Sequence, residues 1–456
     1  MSLKVCKFGG TSMADAKAIR KVVGIISSDT RRRYVVVSAP GKRDKEDEKI
    51  TDLLYGSCAL ARESGKCEKT FKKIRYRFTQ IVKDLEINFE IEKELEQIEA
   101  NINLHNNKHY AASRGEYLSA LILAKILGWD FVDSKEIIKF ALVNSSPELD
   151  TQVTDKEIAA KLKEIERAVI PGFYGSYTNH AGKKLLQDGE GGLVTFSRGG
   201  SDITGALVAR AMKASVYENF TDVSGYYAAD PKIVKEPRLI SRVSYKELRE
   251  LSYMGANVIH QDSIWPVQSA GIPINIKNTF ALDDLEDGTM IMAEEKLPSH
   301  YNSFKGIVGI AGKKDFSVIL IAKKMMNNKR GFCRTVLSVL EKHNISIDHI
   351  PSGIDTMSIV VANEQLKTVS EQKLLAELIA AVEPDTIRID NSLALIAIVG
   401  RQMNSQITAT VFNSLDDAAI KCRIIDQGSS PLNIIIGVDE RNYERAIRAI
   451  YKAFFR

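Results

Sequence analysis

The stretch "KFGGTS", residues 7–12, follows a short apolar run, Leu3-Lys4-Val5-Cys6-Lys7-Phe8. A lone lysine sits near the end of that strand pattern, and two side chains are then removed in succession. Glycines at such a point let backbone N–H groups approach a ligand closely, and lysine places a point charge beside them. Together these features suit a phosphate. Beyond the glycines, Ser12 is expected to cap a helix, with Asp15 three positions on forming a capping-box-like pair. Met13, Ala16, Ile19, Val22, Val23 and Ile26 then recur at helical spacing.

Outward from this start, strand and helix signals alternate over about 280 residues. "YVVVS" (34–38) is a β-branched strand, and from Thr51 to Leu127 the pattern is mainly helical and highly charged, as in "EIEKELEQIEANI". Strand-like runs return at "FVD", "AVIPGFYG", "GLVTFS" and "SVYENFTDV". Short buried strands alternating with helices imply an α/β fold whose mainly parallel sheet is sandwiched by helices. Past "LEDGTMI" an internal repeat appears. "VILIAKKMM" (318–326) corresponds to "LALIAIVGR" (393–401), "RTVLSVLEKHNISI" (334–347) to "ATVFNSLDDAAIKC" (409–422), and "PSGIDTMSIVV" (351–361) to "DQGSSPLNIII" (426–436). Two copies are too few for a solenoid and fit a pair of small α+β domains. The expected division is a first domain over 1–285, a linker over 286–312, and the two repeats over 313–388 and 389–456.

The bulk properties exclude several classes. The 456 residues are 44% apolar and 27% charged, ordinary values for a globular protein of two or three domains. Net charge is +5, and the densest charge run, "KRDKEDEK" (42–49), nearly cancels itself and reads as a solvated loop. No basic block is interleaved with aromatics, so no nucleic-acid partner is expected. Five scattered cysteines without a C-x-x-C fit a reducing compartment. With no apolar run of spanning length and no signal-peptide pattern, the expected location is cytoplasmic, with no membrane partner.

Three further stretches can carry chemistry. "TFSRGGSDITGALVARA" (195–211) ends a strand, turns through Arg198 and two glycines, and opens a helix at Ser201-Asp202. Such a helix start binds anions, Arg198 offers a fork for carboxylate or phosphate, and Asp202 can orient a lysine or a metal-bound water. The blander reading is a glycine turn with Ser201 as its cap. In "TDVSGYYAADPKIV" (221–234), Tyr226 or Tyr227 can stack on a base and Lys232 can reach a phosphate, although a plain turn has the same composition. In "SRGEYLSALILAKILG" (113–128), Glu116 lies in the first turns of an otherwise apolar helix, where most glutamates are simply solvated. His105 and His109 lie four apart on an expected helix, and without a third ligand they read as surface histidines, so no protein metal site is expected. The P-loop, dinucleotide, H-R-D and H-E-x-x-H patterns are absent.

Taken in order, "KFGGTS", "SRGE" (113–116), "SRGGSD" (197–202) and "TDVSGYYAADP" (221–231), followed by the paired repeat, resemble the aspartokinases. These are amino acid kinases with a tandem ACT regulatory region, and the resemblance spans essentially the whole chain. It implies an amino acid kinase-like catalytic domain followed by two ferredoxin-like ACT domains. It implies ATP-dependent phosphorylation of the β-carboxylate of L-aspartate to 4-phospho-L-aspartate, the first step toward lysine, threonine and methionine, with ATP as substrate and Mg²⁺ as its companion. Lys7 and Asp202 would be catalytic, Asp202 organising the lysine and the metal–phosphate region. Ser38, Thr51, Glu116, Arg198, Gly199, Gly200 and Ser201 would hold the amino acid, with Arg198 on the α-carboxylate and Glu116 on the α-ammonium. Lys7, Gly9, Gly10, Thr221, Asp222, Tyr227 and Lys232 would line the nucleotide.

In the ACT pair, Met326, Gly331, Phe332 and Asp348 would take an effector, lysine and/or threonine, with the segment near 301–312 completing the C-terminal unit. ACT edges would pair subunits into a homodimer or tetramer. The chain departs from the family at Ser224, Lys232 and Asn257, where a proline, an arginine and a lysine are common. Another amino acid kinase, of glutamate type, and a non-catalytic amino-acid sensor are the alternatives. A fused homoserine dehydrogenase is not expected, since no dinucleotide fingerprint follows.

Overall fold

The computed structural model describes residues 2–178, 192–197, 199–256, 258–259, 261–281, 287–298, 306–401, 403–427 and 432–456. Arg198 and Asn257, both singled out above, lie outside the described residues. The chain forms two compact units, one from 1–225 with 258–297 and the other from 226–257 with 298–456.

In the first unit the strands run side by side in the order Thr289–Met292, Ile274–Asn278, Val216–Thr221, Lys4–Phe8, Arg32–Val37, Ala168–Pro171 and Asp130–Phe131. Every pairing among them is parallel except that of the first two. Strand alternation sorts the side chains. Phe8 is in register with Phe220, and their rings stack 4.7 Å apart within the core that holds Ile19, Val22 and Ile26 of the helix Ala16–Ser27. Lys7 is in register with Asn219, on the opposite face. Glu218, 1% exposed, is neutralised by Arg32 at 2.6 Å and Lys4 at 3.1 Å. Burial alone would push its carboxyl up, but the two cations outweigh burial and hold it below the usual range.

Several local expectations are corrected. The helix after the glycines begins at Ala16, and its cap is Asp15, which accepts from Ala18 N–H at 2.8 Å. Residues Gly10–Met13 form a 3-10 turn, and Ser12 instead shares a hydrogen bond with the Thr279 hydroxyl at 2.8 Å. His105 and His109 do not share a helix, because Asn106 (φ 51°) ends Ile91–His105 before Lys108–Leu127 begins. The loop at 42–49 is not merely solvated. Asp47 accepts from Arg77, a guanidinium only 4% exposed, at 2.6 Å.

In the second unit the strand order is Thr356–Ala362, Ile307–Ala322, Thr386–Gly400, Asn433–Asp439, Cys422–Asp426, all antiparallel. Two long strands run through both repeats. Residues 316–322 pair with 356–362, whereas 307–313 pair with 395–400, and 393–399 in turn meet 433–439. A register shift between Lys313 and Phe316, with Asp315 at φ 67°, marks the passage from one repeat to the other. The linear division at 285 also differs from the compact units, because 226–257 is built into the second. Ile310 N–H donates to Ala228 O at 2.8 Å, Asn433 donates to Glu250 at 2.6 Å, and Tyr451 OH accepts from Arg238 N–H at 2.9 Å.

Candidate active site

Lys7, only 8% exposed, places Nζ 2.6 Å from Asp202 Oδ1. Asp202 stands in the first turn of Gly200–Ala211, and its position is fixed from two sides. Asn219 Nδ2 donates to the same Oδ1 at 2.8 Å, and the buried Tyr217 hydroxyl donates to the Asp202 carbonyl at 3.0 Å. Gly199 precedes the helix at φ 58°, a conformation suited to glycine, and supplies no side-chain cap. Among the described residues no side chain caps the first-turn N–H groups, which lie next to an ammonium.

The turn after the first strand is tightly built. Gly9 N–H donates to Phe220 O at 3.0 Å, and Gly41 N–H donates to Gly10 O at 2.8 Å. A Cβ on Gly41 would lie 2.7 Å from the Gly10 carbonyl carbon, so the 38–41 loop can meet the glycine turn only backbone to backbone. The same loop carries Ser38, whose N–H donates to Phe8 O at 3.1 Å, and leads toward Thr51 in the first turn of Ile50–Ser64.

Glu116 meets this loop from the helix Lys108–Leu127. Its carboxyl is 5% exposed, and Oε2 has no hydrogen-bond partner. Burial pushes it up to about 8, against the opposing pull of the Ala39 N–H and the Arg114 charge. A buried carboxyl with an orphaned oxygen has hydrogen-bonding capacity that its surroundings leave unused.

Thr221 and Asp222 leave the C-terminal end of the strand beside Lys7's own, with the Thr221 hydroxyl donating to Asp222 at 3.2 Å. Tyr227 and Lys232 belong to the second unit, where Tyr227 bridges to Leu239 and Lys232 is exposed. The structure therefore brings together Lys7, Gly9, Gly10, Ser38, Gly199, Gly200, Ser201 and Asp202, with Glu116 joined through Ala39. Reading the sequence missed Asn219 and Gly41. An asparagine inside the buried run "VYENFT" was the available signal for the first.

In the second unit Met326 and Phe332 are buried with Ile319, Val336 and Leu340 in the core of the first repeat. Gly331, at φ 79°, starts the helix Phe332–Lys342 without a side-chain cap. The Asp348 carboxylate accepts from the Tyr253 hydroxyl.

Comparison with known proteins agrees with this architecture. The profile of the amino acid kinase family matches residues 2–278, and that of an ACT domain matches 396–454. The chain belongs to the amino acid kinase family. Over its full length the likeness is to aspartokinases. It is 33% identical to aspartokinase 3 of Bacillus subtilis, covering 99% of both chains. The crystal structure of the aspartate kinase of Clostridium acetobutylicum superposes with a TM-score of 0.88 at 43% identity, covering all of both chains. Aspartokinase III of Escherichia coli, in complex with aspartate and ADP, matches at a TM-score of 0.69 and 26% identity, again over all of both chains.

Proposed function

We infer that this chain is an aspartate kinase, transferring the γ-phosphoryl group of ATP to the β-carboxylate of L-aspartate under feedback control by an amino acid. The observation that carries the reading is the Lys7–Asp202 pair, 2.6 Å apart at an uncapped helix start. The relatives supply the substrate class, since the E. coli enzyme binds aspartate and ADP.

The chemistry suits the residues. A side-chain carboxylate with a pKa near ~4 is already ionised at neutral pH, so no general base is required. The obstacle is bringing it against a polyanionic phosphate, which positioning and charge neutralisation overcome. Lys7 and the Gly9–Gly10 turn face the phosphate, the Gly9 N–H itself being held by Phe220 O, while Glu116 takes the α-ammonium. Ser38, Thr51 and the Gly199–Ser201 turn border the amino acid, with Arg198 on its α-carboxylate. Thr221 and Asp222 border the nucleotide, with Tyr227 and Lys232 assigned to it by resemblance.

ATP enters as its magnesium complex. Among the described residues no group of three His, Cys, Asp or Glu side chains could hold an ion. Carried in with the nucleotide, magnesium would supply charge neutralisation at the phosphates beside Lys7 and Asp202.

Lysine and/or threonine is the proposed effector, supported by the repeat pair and by the E. coli enzyme's complex with lysine and aspartate. Pairing of subunits through the ACT region is proposed from the resemblance, and the second unit's sheet ends on the edge strand Cys422–Asp426, where Ile425 is exposed. A hydroxamate assay with ATP and either aspartate or glutamate, with lysine and threonine titrated in, tests the whole reading. Aspartyl hydroxamate suppressed by an effector is expected. Glutamyl hydroxamate would indicate the other kinase class, and no product from either would indicate a sensor.

A further inference from the structure

Asn219 has so far been given no part in the transfer itself, yet it shares an atom with the central ion pair. It is 4% exposed, and it stands beside Lys7 in register on the adjacent parallel strand. Both side chains therefore leave the sheet on one face and converge on one oxygen, Asp202 Oδ1, at 2.8 Å and 2.6 Å. On its other side Asn219 is in register with Ile276, a buried apolar residue. Its amide must present N–H rather than C=O to a carboxylate, which is acceptor-only when ionised.

We propose that Asn219 is a positioning residue for phosphoryl transfer, holding the Asp202 carboxylate in place when Lys7 turns to the phosphate. The inference rests on the reading of Lys7 as the phosphate-facing ammonium. Lys7 has two anionic claims on it, Asp202 and the nucleotide. When it turns to the second, Asp202 loses its ion pair in a largely enclosed site. A carboxylate left without a donor would follow the lysine or repel the incoming phosphate. The asparagine amide remains on Oδ1 throughout. Being neutral, it steadies the carboxylate without competing for Lys7 or attracting phosphate. An apolar side chain would leave Asp202 loose, and a cationic one would neutralise it permanently.

The test uses the full chain with Asn219→Leu and Asn219→Asp beside wild type and Lys7→Ala, all in the hydroxamate assay after thermal melts confirm folding. Loss of one hydrogen bond to a charged group predicts a kcat lowered roughly ten- to hundredfold in Asn219→Leu. KM for aspartate should stay within about twofold, because the Glu116 side of the site is untouched. In Asn219→Asp, a proton shared with Asp202 reproduces the donor at low pH and is lost as pH rises. Its kcat should acquire a descending alkaline limb that wild type lacks. Folded variants with wild-type kcat and pH profile overturn the proposal, as does a loss confined to KM. Failure of both variants to fold assigns Asn219 to stability and overturns it as well. An inactive wild type would instead overturn the kinase reading. Active wild type, dead Lys7→Ala and unaffected Asn219 variants would overturn this inference alone.

Discussion

Glu116 enters its pocket with one oxygen unpartnered and its carboxyl pushed up to about 8 by burial, so in the free enzyme it is largely protonated at neutral pH. An arriving α-ammonium favours the ionised form. KM for aspartate should therefore fall as pH rises from about 6.5 toward 8, and Glu116→Gln should raise KM and flatten that dependence, which steady-state kinetics across the range would reveal. The same group makes a stability prediction of opposite sense. A carboxyl raised above its unfolded value binds more protons folded than unfolded, so its contribution is present below the unfolded pKa and lost as pH climbs through about 8. Without aspartate, wild type should lose more melting temperature between pH 6 and 8.5 than Glu116→Gln does. Lys7→Ala should abolish turnover while leaving the melt close to wild type, and near-normal turnover there would contradict the assignment.

Among elements, the glycine turn and the 38–41 loop show what packing demands of sequence. Gly41→Ala would place a Cβ 2.7 Å from the Gly10 carbonyl carbon and 2.9 Å from Thr11 N, with no side chain able to yield. Activity should collapse together with a lowered melting temperature. Gly24→Ala makes the contrast. Gly24 sits in the helix Ala16–Ser27 with nothing within 4 Å of a new Cβ, so that change should stabilise by roughly 0.5–1 kcal/mol in denaturant titration. Elements of this kind differ in how far sequence reveals them. "KFGGTS" and "SRGGSD" announce their turns because glycine runs beside a strand end are locally unusual. Gly41 carries no such mark, since its need arises from a loop some thirty residues away along the chain. Ser12 looked like a helix cap because local spacing favours it, but the hydroxyl of Thr279, 267 positions on, claims it. The strands Lys139–Val143 and Ser146–Leu149 were equally silent, being short and largely solvent-facing without a clear period.

For the whole molecule, the regulatory consequences lie within the second unit. Met326 and Phe332 fill the core of the first repeat, a use that local pattern alone cannot separate from ligand contact. Asp348 is already engaged by Tyr253, whose hydroxyl is pushed up to about 12 by burial and by that carboxylate. An effector ammonium at Asp348 would have to displace the phenol. Tyr253→Phe should therefore lower the effector concentration for half-inhibition several-fold while leaving kcat without effector unchanged. Equal inhibition curves would place the effector elsewhere. The repeat pair itself was legible from the 75-residue offset of its matching segments. The incorporation of 226–257 into this unit was not, because it depends on hydrogen bonds such as Ile310 to Ala228 that have no signature in either segment.

The two long strands, Ile307–Ala322 and Thr386–Gly400, have a bearing on how such a protein can be taken apart. The region that matches an ACT profile, 396–454, looks excisable, but its sheet borrows residues 307–313 from upstream. Cut out alone, it would present a bare hydrophobic rim where Ile307 and Ile310 had lain against Gly400 and Ile398. Such a fragment should self-associate, and a synthetic peptide of residues 306–314 added in trans should render it monodisperse by inserting as the missing rung. The regulatory half is thus a spliced object rather than two beads on a string, and shuffling its repeats between relatives would require moving both splices at once.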